Sequence, residues 1–208
     1  LLMDAQGHPL SKRLGSLSLQ AMQAQGVEPM AICSLMARLG TSLPVEPFTD
    51  LLALAQTFDL STFSRTPPHF DEHDLTVLNH KIFQLTPYNA VEARLRALGL
   101  DCAPALWELI RGNISTLADV TNWLDVMRPQ ATFNLDALDG EFLSIALATL
   151  PNTPWDENTW VEWTNTLKSQ TGRKGKELFM PLRRALTGRE HGPEMRHFLP
   201  LLGYETVY

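Results

Sequence analysis

From Ser18 to Leu202, apolar residues recur three and four positions apart. Most of these runs are opened by a proline or a short polar side chain and closed by a glycine. Strand-like alternation with β-branched enrichment is absent. The pattern predicts an all-α chain built as two consecutive helical bundles with short connections. Ser18 can cap a helix that stops at Gly26. Pro29 opens the next, with Ile32, Leu35, Met36 and Leu39 as its expected buried face before Gly40. Thr49 can cap a helix carrying Leu51, Leu52, Leu54, Ala55 and Phe58. Asp71 can cap one carrying Leu75, Leu78, Ile82 and Leu85, and Thr86-Pro87 starts one through Val91, Leu95 and Leu98 to Gly99. The break between Gly99 and Pro104 is the expected domain boundary.

Beyond the break, Pro104 opens a helix with Leu106, Trp107 and Ile110. Ser115 can cap one with Leu117, Val120, Leu124 and Met127. Phe142, Leu143, Ala146, Leu147 and Leu150 mark another. Asp156 can cap a helix whose Trp160, Trp163 and Leu167 share a face, which makes the tryptophans core rather than a stacking platform. Met195, Phe198, Leu199 and Leu202 mark the last.

Between these two lies the stretch that points to a function. The chain holds 17 Lys+Arg against 23 Asp+Glu. Gly172–Arg196 alone holds seven basic residues (Arg173, Lys174, Lys176, Arg183, Arg184, Arg189, Arg196) and three acids, a net +4 that leaves −10 elsewhere. A cationic island on an acidic body attracts a polyanion locally without making the whole surface adhesive. Leu178, Phe179, Leu182, Ala185 and Leu186 form the expected apolar stripe, with Arg183 and Arg184 beside it. Pro181 either starts or kinks this helix, and Gly188 ends it.

Other chemistry is thin. His69, His73 and His80 lie among Asp71, Glu72 and Asp74, but those acids sit where a helix N-terminus favours negative charge, and no metal is expected. Cys33 and Cys102 are solitary, the pattern of reduced core thiols in an intracellular protein. No apolar run approaches the roughly 18 residues of a membrane span. The opening Leu1-Leu2-Met3-Asp4 suggests a piece of a longer protein. No Ser/His/Asp arrangement and no Gly-rich phosphate loop occurs, so no complete active site is expected.

Two motifs carry a resemblance. Pro9-Leu10-Ser11-Lys12-Arg13, followed by Leu14-Gly15-Ser16, resembles the second signature of class I aminoacyl-tRNA synthetases in its bacterial glutamyl form. Thr171-Gly172-Arg173-Lys174-Gly175-Lys176-Glu177-Leu178-Phe179-Met180-Pro181-Leu182-Arg183, then Ala185-Leu186-Thr187-Gly188 and His191-Gly192-Pro193, resembles the anticodon-binding region of the same family. Glutaminyl-tRNA synthetases share the first motif but read the anticodon with β-barrels, so a helical second half favours the glutamyl type.

The resemblance implies that residues 1–18 end a catalytic domain, 19–100 form a helical stem-contact domain, and 101–208 an α-helical anticodon-binding domain. It implies that Lys12, supported by Ser11 and Arg13, stabilises the ATP phosphates. It also implies that Arg173, Lys174, Lys176, Arg183, Arg184 and Arg189, with Arg111, contact tRNA. Expected partners are tRNA(Glu), with tRNA(Gln) left open, and in the full-length enzyme glutamate and ATP with Mg2+. The protein would be a cytoplasmic monomer. Pro9 stands where the family signature has its first lysine. The nucleotide-binding half is not within this chain, so the chain alone is expected to be inactive. Two other readings are a stand-alone RNA-binding module and a helical protein-interaction scaffold.

Overall fold

The computed structural model describes residues 2–4, 6–10, 18–128 and 140–203. Among them are eleven α-helices, short 3-10 turns and no strand. Isolated bridges join Met3 to Pro9 and to His69, and Thr41 to Phe63. The chain is all-α, as its spacing predicts. It forms two compact units, one running to Leu95 and including Ile114–Asp119, the other comprising Arg96–Asn113 and the residues from Val120 onward.

The first unit holds α1 (Leu19–Ala24), α2 (Pro29–Met36), α3 (Leu51–Gln56), α4 (Glu72–Leu85) and most of α5 (Tyr88–Ala97). Ser18 and Asp71 cap α1 and α4 by accepting from Ala21 N and His73 N. α2 packs on α4 around Met22, Ala31, Leu35, Leu75, Leu78 and Ile82. Each large apolar side chain in such a core contributes about 1.5–3 kcal/mol. The bidentate Arg94–Glu28 pair, at 2.8 and 2.6 Å with Arg94 half exposed, contributes at most about 1 kcal/mol. Burial therefore dominates, and the ion pair orients.

Buried Asn79 acts as a polar fastener. It accepts from Glu28 N (2.7 Å) and donates to Ser115 O (2.7 Å) and Gly26 O (3.3 Å). His80 Nδ1 donates to Ile114 O at 2.8 Å, and His69 Nδ1 to Asp4 O at 2.8 Å. Two of the three clustered histidines thus bond to backbone carbonyls.

The second unit holds α6 (Pro104–Ile110), α7 (Val120–Val126), α8 (Gly140–Ala148), α9 (Thr159–Thr171), α10 (Lys176–Thr187) and α11 (Met195–Leu202). α9 packs on α8, α10 and α11, and α10 also meets α8. Trp163 is buried and its indole N–H donates to Ala146 O at 3.0 Å, which ties α9 to α8. Trp160 and Trp163 meet edge to face at 5.9 Å, so both tryptophans are core, as expected. The Asp156 carboxylate accepts from Asn158 N and Thr159 N and opens α9.

Several inward assignments are overturned. On α2 the buried set is Ala31, Ser34 and Leu35, and Met36 is 43% exposed. Arg38, just beyond α2, is buried and donates to Thr57 O and Oγ1, lying over the Phe48 ring. Two residues turn a helix by about 200°, so turning Arg38 inward turns Met36 out. α3 is capped by Asp50 rather than Thr49. It buries only Leu54, and Leu51, Leu52 and Phe58 face solvent. Leu85, Leu98 and Leu147 lie near helix ends and are exposed. Before α7, the Asp119 carboxylate accepts from Ser115 N and Thr116 N at 2.8 Å each and stabilises a 3-10 turn, Leu117–Asp119. That turn shifts the register, so the buried stripe is Val120, Trp123 and Val126, not Leu124 and Met127.

Both cysteines are free thiols. Burial, with Asp101 nearby, pushes the Cys102 thiol up to about 11, whereas Cys33 is half-buried. At pH 8 about one Cys102 in a thousand is thiolate. A disulfide exchange reagent should therefore titrate Cys33 first and Cys102 only on unfolding. Equal rates for both in the native protein would contradict this placement.

Candidate nucleic-acid interface

The interface begins with a backbone consequence of sequence. Pro181 lies inside α10 and is buried. It has no N–H to give the carbonyl four residues back, which is Glu177 O. Arg173 Nη1 donates to that carbonyl at 3.4 Å. The chain can fold Arg173 back because Gly172 ends α9 in the left-handed region (φ 71°) and Gly175 precedes α10 at φ 54°. The Arg173 guanidinium also lies 4.2 Å from the centre of the Phe142 ring. Arg173, one of the seven basic residues of the 172–196 stretch, is thereby fixed at two points.

This fixed arginine lines an open cavity of about 780 Å³ together with Lys176, Glu177, Met180, Pro181 and Arg184. Three cations face one carboxylate. Gly175 offers no side chain to cap α10, so the first N–H groups of the helix add their partial positive charge beside Lys176. The arrangement suits a phosphate or an extended polar anion, and the methylene and thioether surface of Met180 adds an apolar contact.

Arg183 points elsewhere. Adjacent helix positions differ by about 100°, so it does not share the Arg184 cavity. Its Nη2 donates to Pro193 O at 2.9 Å, while its buried Nη1 has no hydrogen-bond partner. Burial holds its pKa below the ordinary guanidinium range. Arg189 follows the left-handed Gly188, its backbone N–H bonded to Thr187 Oγ1, and its guanidinium lies 4.9 Å from the centre of the Trp123 ring. Arg183 and Arg189 thus form a second cationic point at Trp123. Lys174 is exposed in the α9–α10 loop. Arg111 follows α6 and pairs with Glu108 at 2.8 Å. Arg196 bonds Glu157 O at 3.1 Å. Phe179, expected in the apolar stripe, is 43% exposed, and Pro181 and Thr187 are buried in its stead. Ser11, Lys12 and Arg13 lie outside the described residues.

The sequence reading missed three participants. Glu177 and Met180 lie in the first and second turns of a helix, where spacing alone does not show which groove they border. Trp123 was overlooked as the platform for Arg189. The signal for it was Gly192, a residue with room for close approach.

Residues 80–208 match the family described as the anticodon binding domain. The chain belongs to that family. It is 48% identical over 204 residues to glutamate–tRNA ligase 1 of Cereibacter sphaeroides, which covers 97% of this chain and 46% of the relative. It is 44% identical over 208 residues to glutamate–tRNA ligase 1 of Maricaulis maris, covering 100% and 46%. The chain spans about half the length of these curated relatives and corresponds to their C-terminal portion. A crystal structure of a glutamate tRNA ligase from Elizabethkingia meningosepticum shares the fold, with a TM-score of 0.72 at 17% identity over 100% of this chain and 48% of that one. A glutamate-tRNA synthetase from Elizabethkingia anophelis gives 0.70 at 17% identity, over 98% and 47%.

The geometry around this anticodon-binding-family helix makes one sharp prediction. A Cβ at Gly192 would stand 2.5 Å from the Trp123 indole and 3.3 Å from Arg183 Nη1. Gly192→Ala should therefore destabilise by about 1–3 kcal/mol through overpacking. That is a fall of several degrees in Tm for a chain of this size. An unchanged melting curve would show that the loop is not seated on Trp123.

Proposed function

We propose that this chain is the tRNA-binding portion of a glutamate–tRNA ligase, whose full-length form attaches glutamate to tRNA in an ATP-dependent, two-step reaction. The observation that carries this reading is the family match over α4–α11 coinciding with the Arg173–Lys176–Arg184 cavity. In it the second unit grips the anticodon arm. Arg173, Lys176 and Arg184 take phosphates or base edges in the cavity. Arg183 and Arg189 provide a second cationic point beside Trp123, and Lys174 and Arg111 contribute at the rim. Splayed single-stranded bases suit these guanidinium planes. The first unit serves as the stem-contact domain. The partner is tRNA(Glu), with tRNA(Gln) as a possible second substrate of the parent.

ATP and Mg2+ belong to the reaction of the full-length enzyme. Lys12, with Ser11 and Arg13, is the proposed contact to the ATP phosphates, where a flexible ammonium can follow charge as it moves onto the departing pyrophosphate. Among the described residues no helix is long and apolar enough to cross a membrane, and no group of three metal-ligating side chains forms. A cytoplasmic monomer is part of the same proposal.

Two measurements test it. tRNA affinity should fall steeply with salt, and Lys176→Ala or Arg184→Ala should each flatten the log–log slope by roughly 0.7–0.9. Unchanged affinity and slope in both variants would remove the cavity from the RNA interface. In the full-length enzyme, Lys12→Ala should lower aminoacylation kcat about 100-fold while leaving the tRNA Kd alone. Normal turnover would remove Lys12 from the chemistry, and a parallel loss of tRNA binding would make it an RNA contact instead.

A further inference from the structure

The 41–64 segment of the first unit is unlike the cationic surface described above. It contains no lysine or arginine, and its charged residues are Glu46, Asp50 and Asp59. Apart from Phe48 and Leu54, its large apolar side chains face out. Leu60 is 76% exposed, Leu52 68% and Leu51 61%, and the exposed Phe58 and Phe63 meet at 5.5 Å. A loose loop would explain such exposure, but this segment is pinned from beneath. Buried Arg38 holds Thr57 through two bonds, and the Phe48 N–H donates to Ser34 Oγ at 3.1 Å. A fixed segment that exposes this much leucine and phenylalanine marks a surface that another molecule covers. With three acids in the segment and one exposed cation, Arg65, directly after it, the surface is poor for a phosphate backbone and suits protein.

Met3 is bonded to the strip that follows this segment. Met3 N donates to Pro68 O at 3.0 Å and Phe70 N to Met3 O at 2.8 Å. A Cβ on Gly40 would lie 3.5 Å from the Pro68 ring and 3.8 Å from Phe63, and Ser64 N donates to Gly40 O at 2.7 Å. Residues 2–4 are therefore tied to the strip that borders Phe58 and Phe63. The matched ligases are about twice as long as this chain, which corresponds to their C-terminal portion. The polypeptide that precedes Met3 in such a ligase is thus delivered beside an uncovered apolar face.

We propose that the face made by Leu51, Leu52, Phe58, Leu60 and Phe63 is the seat of the N-terminal, nucleotide-binding half of the same polypeptide. This rests on the ligase reading above. Its consequence is that the first unit is clamped to the catalytic half through apolar burial rather than through charge, so the clamp is insensitive to salt, whereas tRNA binding is not.

The test uses the full-length protein without tRNA. Leu52→Cys and Leu60→Cys are exposed in this chain and should fold normally. Val161→Cys, on α9 in the second unit and 43% exposed, is the control. Each is reacted with a maleimide and read site by site by mass spectrometry. Leu52→Cys and Leu60→Cys should react at least tenfold more slowly than the control, equally at low and high salt and at all protein concentrations. Labelling as fast as the control overturns the proposal. So does protection that grows with protein concentration, which would mean a second copy, or protection that needs added tRNA. Aminoacylation by the same preparations separates the two readings. Protected cysteines in a protein that charges no tRNA keep the seat and sink the ligase assignment. Charging with unprotected cysteines does the reverse.

Discussion

The carbonyl of Glu177 is the point on which the basic site turns. Pro181 denies it the N–H that an uninterrupted helix would supply, and Arg173 meets it from outside α10. An interior proline costs a helix about 3 kcal/mol. Here the ring is buried, and the stranded acceptor receives a charged donor, so the helix continues to Thr187. The same bond converts Arg173 from a long side chain with many rotamers into one wall of a cavity. Immobilising a rotamer-rich side chain on binding costs about 0.5–1.5 kcal/mol. A guanidinium already held by Glu177 O and the Phe142 ring avoids much of that cost.

Charge and packing are separated along the chain. The second unit carries its cations on α10 and the two loops that flank it, above a core of Trp163, Leu178, Leu182, Phe198 and Leu199. Those core residues fix the backbone that carries the arginines. The first unit is organised differently. Its buried polar groups, Asn79 and Arg38, bond to backbone and hydroxyl oxygens of neighbouring segments. They hold turns in place and leave an acidic, apolar surface facing out.

Much of this was legible in the sequence, and the failures have identifiable causes. Helix existence and most boundaries followed from caps and stops. Ser18, Pro29, Asp71, Pro104 and Gly188 act locally, and nothing distant overrides them. Inward and outward faces were less legible. Met36 and Leu51 fit a helical stripe by spacing, but Arg38 reaches Thr57 through a contact 19 residues away. Ser115 read as a cap because Asp119, which bonds back to it, lies inside the turn rather than ahead of it. The basic stretch was visible as charge. Its division into a cavity lined by Arg184 and an inward Arg183 needed the helix rotation, the Gly192–Trp123 approach and the Pro193 carbonyl together.

Arg183 shows why that division matters. Stability alone does not call for a half-buried guanidinium, since an apolar side chain of similar volume packs at least as well without the cost of desolvation. Arg183 donates to Pro193 O, keeps one buried nitrogen without a hydrogen-bond partner, and forms no ion pair among the described residues. Its charge is therefore carried beside the 188–193 loop without an acidic partner among the described residues, and is partly shielded from water. Arg189 stacks on Trp123 in the same loop, so two positive charges reinforce each other where an apolar core would offer none. An arrangement that is poor for folding is good for attracting a polyanion. The cost is met by the surrounding core, in which Trp123 and Phe198 meet edge to face at 5.7 Å.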